Sequence, residues 1–259
     1  MLNSMVMNSP AWLLVFARMG GLLGMNPLLA RRNVPAMVRT GLTFLLTALI
    51  APGITVTGLA AENSLSLALG MMKELFVGFA CGFVFQIFYY MLLFAGDMMD
   101  TNFGMSMAKV FDPGTSIQMS VSGNMINTLF VLYIFVTNSH LLMIRIFAGS
   151  FQVLPAGAVT FSQETARFFL ELFMAVFSMG LRLALPFIAA EFVLELSMGV
   201  LMKLIPQIHI FVINIQFKMI LGLLLLLAFA GPVASFTDNY MRIMFENLQY
   251  AFSALAGAG

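Results

Sequence analysis

Charge is the scarcest component of this sequence. Charged residues make up 9% of its 259 positions, whereas a soluble domain carries roughly 25%. Twelve basic and eleven acidic residues cannot cover a water-facing surface of this size. With a formal net charge of +1, the chain also lacks the basic footprint of a nucleic-acid-binding protein. The composition therefore argues against a soluble domain and against a nucleic-acid partner.

Groups that could carry catalysis or bind a metal are equally few. Cys81 is the one cysteine and cannot form an internal disulfide. His140 and His209 lie 69 residues apart with no cysteine nearby, and a lone histidine at a helix end is more often structural than a ligand. No HExxH or GxSxG pattern occurs, and no nucleophile has an orienting partner. We therefore expect a protein that is not an enzyme and uses no cofactor or metal.

Hydrophobic residues are in excess in this sequence. Hydrophobic residues make up 61% of it, and the mean hydropathy is +0.99. Residues 75–96, 113–144 and 219–237 contain no charge, and about 20 apolar residues suffice to cross a bilayer. Buried core helices of a soluble protein would give similar runs, but nothing polar would remain to cover them. The sequence therefore predicts an all-α, multi-spanning helical membrane protein.

Proline, glycine and charge divide the chain into about six long helices. Short connections predict that neighbouring helices pack as antiparallel hairpins. We expect a bend or a break at Pro186 and a helix end at Gly231 with Pro232. The basic connector with Arg31, Arg32 and Arg39 favours a cytoplasmic position for that loop. The predicted helices cover residues 11–29, 41–59 (interrupted at 51–53), 65–96, 125–148, 166–186 with 188–204, and 208–227, followed by a weakly amphipathic tail at 238–255.

Charged residues inside the predicted spans are costly and therefore informative. Glu191 and Glu195 share one helical face, because they are four residues apart. An ion or proton relay and contacts to partner subunits explain such charges equally well. Gly78 and Gly82 form a small-xxx-small pair, which indicates close helix contact. The candidate buried or intersubunit charges are Lys73, Glu74, Glu191, Glu195, Lys203 and Lys218.

The segment 97–118 is irregular, polar and rich in methionine. Gly104 and the pair Pro113 and Gly114 interrupt any helix, and Asp112 before proline favours a turn. Irregular backbone at membrane depth persists only where protein buries it or a cavity hydrates it. Methionine fills irregular gaps without polar demands. A deformable apolar gasket in a conduit and an ordinary loop are both compatible with this pattern.

Four stretches of the chain carry specific motifs, namely GFVFQIFYYMLLFAGDMMDTNFGMSMAKVFDP at 82–113, SHLLMI at 139–144, SFQVLP at 150–155 and LELSMGVLMKLIPQIHIFVINIQFKMILG at 194–222. These stretches resemble the FliR family of flagellar export-gate membrane proteins, which is related to an export-apparatus subunit of type III injectisomes. The resemblance covers nearly the whole chain. It departs from the family pattern at Ser139, Asn214 and Gln216, where glycine or proline is common.

The resemblance implies a subunit of the flagellar export gate, in the bacterial inner membrane and the basal body. It implies FliP-like and FliQ-like partners, an FlhB-like neighbour, contact with membrane lipid, and passage of unfolded flagellar substrates. Residues 1–187 would be FliP-like, 188–232 a FliQ-like hairpin, and 233–259 a tail. The loop at about 97–119 would plug the channel, with Met105, Met107, Phe111, Asp112, Pro113 and Gly114 as plug residues.

Two alternatives stay open at the level of sequence. The injectisome homologue shares the expected fold, and co-purifying partners would separate the two systems. An ion-coupled secondary transporter would suit broken helices and midplane carboxylates. Inverted internal repeats would favour the transporter, and the sequence shows none.

We predict that the plug seals the channel by apolar packing. Deleting residues 105–111, or replacing Met105, Met107 and Phe111 with glycine, should leave assembly intact and let small ions leak. The membrane potential drives ions through an open channel with about 2.3 kcal/mol per charge per 100 mV. An apolar constriction blocks the ions because it excludes water. Conductance of the reconstituted complex measures the leak. An ion-tight deletion complex would assign the seal to a partner subunit.

Overall fold

A computed structural model describes residues 9–29, 34–54, 64–105, 120–159, 162–205 and 210–257. These residues form long α-helices and one short 3-10 turn at Ala51–Gly53, and the described ranges contain no strand. The all-α prediction is therefore confirmed. In chain order the helices are α1 Ser9–Met25, α2 Ala36–Ile50, α3 Ser64–Asn102, α4 Val121–Val136, α5 Ser139–Val153, α6 Gln163–Leu204, α7 Ile210–Ala228 and α8 Ala230–Leu255.

Three helical segments are long and apolar enough to cross a membrane, namely Ala36–Gly53, Ser64–Asn102 and Gln163–Leu204. Up to five spans result if the broken pairs α4 with α5 and α7 with α8 each count as one. The apolar segment Pro10–Met25 is shorter than these. The sequence-based count of about six spans included this shorter segment. Among the described residues, three to five segments are long enough to cross a membrane.

The helix boundaries differ from prediction at two prolines. We expected a bend or a break at Pro186, and the structure excludes the break, because α6 continues through that residue. We also expected Gly231 and Pro232 to end a helix. Instead the break is at Phe229, and both residues lie in the first turn of α8. A proline costs little there, because a first-turn N–H has no helical acceptor to lose.

The break between α4 and α5 was not predicted, because 125–148 was interpreted as one helix although Thr137, Asn138 and Ser139 form a polar turn signal within it. Asn138 adopts a left-handed conformation with φ 56°, which asparagine tolerates better than most residues. His140 Nδ1 lies 3.4 Å from the carbonyl oxygen of Ile134 across this break. His140 therefore contacts the backbone on the other side of the break.

The described residues form two compact units. The first comprises the described residues within Met1–Phe88, Ile134–Phe173 and Arg242–Gly259, and the second comprises those within Tyr89–Tyr133 and Met174–Met241. The chain passes between them within α3, α4, α6 and α8.

Aromatic rings organise the core of the first unit. Phe85 of α3 packs edge-to-face against Phe147 of α5 and against Phe245 of α8, with ring centroids 6.2 Å apart in both pairs. All three rings are buried. Edge-to-face pairs add to the stabilisation that burial alone provides, so one ring of α3 joins two other helices.

The second unit has a comparable aromatic core. Phe187 of α6 lies 6.2 Å from Phe103 near the end of α3 and 5.4 Å from Phe229 at the start of the α8 region. The Phe103 ring also packs on Gly222 of α7, where a Cβ would fall 2.6 Å from the ring. A larger residue at 222 would therefore displace Phe103.

Glycine lets α1 and α3 approach closely in the first unit. A Cβ on Gly21 would fall 2.6 Å from the Leu75 carbonyl oxygen and 2.9 Å from the Gly78 Cα. A Cβ on Gly78 would fall 2.8 Å from the Gly21 Cα. These atoms belong to backbone and cannot swing away, so the crossing requires glycine on both helices. One turn later, a Cβ on Gly82 would fall 2.6 Å from the Met25 Cβ.

We predict that Gly21→Ala destabilises the protein by about 1–3 kcal/mol, because the added methyl group overpacks the α1–α3 crossing. Gly24→Ala is the matched control, since its Cβ would meet nothing within 4 Å on the same helix. That substitution should be neutral or slightly stabilising, because alanine favours a helix over glycine. The midpoint of thermal unfolding in mild detergent measures both. Equal midpoints for the two variants would contradict the prediction.

Candidate functional site

A buried ion pair lies in the first unit. Arg18 of α1 places Nε 2.5 Å from Glu74 Oε2 of α3, and both side chains are 0% exposed. The Arg18 guanidinium also lies over the Phe151 ring, 3.9 Å from its centroid. Isolated buried charges are very costly, so this arginine and this glutamate depend on each other.

The same two side chains also form hydrogen bonds with the segment that follows α5. Arg18 Nη1 donates to the Leu154 carbonyl oxygen at 2.9 Å and to Ser150 Oγ at 3.3 Å. Glu74 Oε1 accepts the Gly157 N–H at 2.7 Å. Three segments distant in sequence therefore meet at two charged side chains.

Sequence reasoning selected Glu74 but not its partner. Lys73 was grouped with Glu74, yet it is exposed while Glu74 is buried. Arg18 stands alone in an apolar helix, and an intramembrane ionisable residue implies a partner. The isolated charge could therefore have identified Arg18 as a site residue. Its pairing with Glu74 could not be predicted, because it depends on how α1 and α3 cross.

A second charged cluster lies in the second unit. Lys218 of α7 places Nζ 2.5 Å from Glu191 Oε1 and 3.3 Å from Glu195 Oε1, both on α6. The contact with Glu195 has hydrogen-bond geometry, whereas the closer Glu191 oxygen accepts no aligned hydrogen bond among the described residues. The contact of Lys218 with Glu191 is therefore electrostatic. One ammonium therefore compensates two carboxylates.

The members of this cluster differ in exposure. Glu191 is 3% exposed, whereas the Glu195 side chain is 60% exposed. Lys203 does not join them. It lies exposed in the last turn of α6, where the helix macrodipole favours a basic residue.

The ends of α3 and α4 are joined in the second unit. Asp100 in the last turn of α3 is buried and accepts the Ser122 N–H through both carboxylate oxygens, at 3.1 and 3.2 Å. Ser120 Oγ accepts the Gly123 N–H at 2.9 Å. These contacts cap the N-terminus of α4. Gly96, one turn before Asp100, packs on the backbone of Gly123 so closely that a Cβ would overlap it.

Most predicted plug residues lie outside the described residues, namely Met107, Phe111, Asp112, Pro113 and Gly114. Met105 is described and is buried just beyond α3. Residues 97–102, which we expected to be irregular, continue α3 to Asn102, and Gly104 follows with φ 71°. Within the described ranges, no group of three or more His, Cys, Asp or Glu side chains could hold a metal ion.

The chain matches the family described as bacterial export proteins, family 1, over residues 9–244. It belongs to this family of bacterial export proteins. The flagellar biosynthetic protein FliR of Escherichia coli K12 is 28% identical over 238 residues, which are 92% of this chain and 91% of that protein. FliR of Bacillus subtilis 168 is 27% identical over 257 residues, which are 96% of each. The Yop proteins translocation protein T of Yersinia pestis is 22% identical over 221 residues, which are 85% of each.

The site of this export protein consists of buried ion pairs and helix contacts. The helices of membrane-spanning length place this export protein in a membrane. The Arg18–Glu74 pair and the Lys218 cluster satisfy polar groups that lipid cannot satisfy.

We predict that Glu74→Gln destabilises this export protein by about 3–5 kcal/mol, because it leaves Arg18 buried without a counter-charge. The matched control is Glu171→Gln in the exposed Arg167–Glu171 pair of α6, which should leave stability nearly unchanged. Thermal unfolding in detergent compares them. A Glu74→Gln midpoint equal to that of the control would show that the buried pair is dispensable.

Proposed function

We propose that this protein is a structural, channel-forming subunit of the flagellar type III export gate and passes unfolded flagellar proteins across the inner membrane. The observation that carries this proposal is the full-length similarity to FliR proteins of distant bacteria. The family assignment to export proteins agrees with it. The site of action would be the basal body.

The protein acts in this proposal as a component of an assembly and has no enzymatic activity and no cofactor. Its partners are FliP-like and FliQ-like subunits and an FlhB-like export protein, besides membrane lipid. Large apolar side chains on α6 and α7 remain exposed, for example Leu185, Leu204, Phe217 and Leu227. Exposed apolar patches of this kind suit contact with lipid or with other subunits.

Exposed charge beside apolar surface supports assembly. Glu195 is exposed on the same helix as the apolar Phe192 and Val200, and it shares the ammonium of Lys218 with Glu191. A neighbouring subunit that offers a cation would supply the second positive charge for these two carboxylates. We therefore propose intersubunit contacts for Glu195, for the exposed Lys73 and Lys203, and for the Glu191–Lys218 pair behind Glu195.

The division into a FliP-like part at 1–187, a FliQ-like hairpin at 188–232 and a tail at 233–259 belongs to the same proposal. So does a plug between α3 and α4, formed by Met105, Met107, Phe111, Asp112, Pro113 and Gly114. The Asp100 contact supports a plug at this place, because it fixes the two helix ends that flank residues 106–119.

The injectisome export apparatus is the second candidate, because the Yersinia translocation protein T is similar over most of its length. Its identity to this chain is lower than that of the FliR proteins, so we favour the flagellar system. An ion-coupled transporter is less well supported, since the family consists of export proteins.

We predict a stable complex when the protein is expressed with FliP-like and FliQ-like subunits. It should survive extraction in mild detergent, and its mass should exceed that of the 28.4 kDa chain several-fold. Native mass spectrometry measures this. A monodisperse, stable solitary chain that binds neither subunit would refute the proposal.

The joint variant Glu191→Gln with Glu195→Gln should weaken this complex more than it lowers expression. It removes both counter-charges of Lys218, and a charge facing lipid costs about 2.5–3.5 kcal/mol on insertion scales. Glu171→Gln, which alters an exposed ion pair elsewhere on α6, is the matched control. Normal assembly and export by the joint variant would show that Glu191 and Glu195 are not needed for the complex.

A further inference from the structure

A groove of about 400 Å³ lies between α5 and α8 in the first unit. Leu142, Ile146 and Phe252 supply its apolar side chains, and Arg145, Gln152 and Gln249 supply polar ones. Ser150, which accepts a hydrogen bond from Arg18, also lines the groove, but no charged residue of the two ion-pair clusters does. Its mixture of apolar and hydrogen-bonding side chains suits an amphiphilic ligand better than a small polar one.

The groove carries uncompensated positive charge. Arg145 is exposed at its edge, and none of the lining residues is acidic. Some exposed arginines of the described chain are paired, such as Arg242 with Glu246 and Arg167 with Glu171. Arg145 forms no ion pair with any described carboxylate. An arginine fork of five N–H donors is therefore available to an anion.

The surroundings of Arg145 add features of a lipid site. The side chains of Gln152 and Gln249 are exposed and form no hydrogen bond with the described residues, so their amides are available to a polar head group. The apolar Leu141, Leu142 and Val153 are each more than two-fifths exposed beside them. Apolar surface for acyl chains therefore adjoins donors for a phosphate.

We propose that this groove binds the head group of an anionic phospholipid, with its phosphate on Arg145 and its acyl chains along the apolar side of α5. The single positive charge favours an anionic head group. A zwitterionic head group would bring an ammonium into a groove that holds no carboxylate. This inference needs only a membrane location and does not depend on the flagellar assignment.

The test is native mass spectrometry of the detergent-extracted complex that contains this chain, with phosphatidylglycerol or phosphatidylethanolamine of matched acyl chains as probes. Wild type should retain phosphatidylglycerol preferentially, and Arg145→Gln should weaken that retention about fivefold, the effect of one basic residue near an anionic surface. Arg145→Lys should keep most of it. Arg182→Gln, which removes an exposed arginine of α6 outside the groove, is the matched control and should change nothing.

Three results would overturn the proposal. Equal retention of the two lipids by wild type would show that the groove does not select charge. Unchanged phosphatidylglycerol retention in Arg145→Gln would place any selective site elsewhere. Displacement of the lipid by millimolar inorganic phosphate alone would identify a free anion as the ligand. If Arg145→Gln does not yield a complex, the wild-type comparison and the phosphate competition still decide the outcome.

Discussion

The contact between Arg18 and Glu74 is the constraint on which the first unit depends. Burying two charges costs several kcal/mol per ion, and only close geometry with further hydrogen bonds recovers that cost. Here the pair reaches 2.5 Å, and both ions also bind the segment after α5. Replacing both residues with apolar ones would leave the Leu154 carbonyl and the Gly157 N–H without these partners, so the pair cannot be exchanged for a simple apolar contact.

The glycine crossing and the ion pair are parts of one arrangement. Gly21 follows Arg18 by three residues and Gly78 follows Glu74 by four, so each glycine lies on the same helical face as its charge. The close approach of the α1 and α3 backbones brings the two side chains within reach. Any residue that separates the helices also lengthens the ion pair. Substitutions at the crossing and at the pair are therefore expected to be coupled rather than additive.

The helical membrane fold was predictable from the sequence because it depends on composition and on charge-free runs. The helix ends were less predictable, because they depend on single residues. Asn138 breaks an apolar run through one left-handed conformation, while Pro186 lies within an unbroken helix. At the site, spacing indicated that Glu191 and Glu195 share a face. Their common partner Lys218 and the partnership of Arg18 with Glu74 needed the tertiary structure, because helices far apart in sequence supply them.

The two charged clusters differ in their exposure and therefore in the role that they can have. Arg18 and Glu74 are fully buried and compensate each other, so they fix the fold of one unit and offer nothing to a partner. In the Lys218 cluster one ammonium faces two carboxylates, and the outer carboxylate is exposed among apolar side chains. Apolar surface alone does not distinguish a partner helix from lipid, because lipid is equally apolar. The charge of the cluster does distinguish them, since Lys218 supplies one positive charge to two carboxylates, and a partner with a cation supplies a second one where an acyl chain does not.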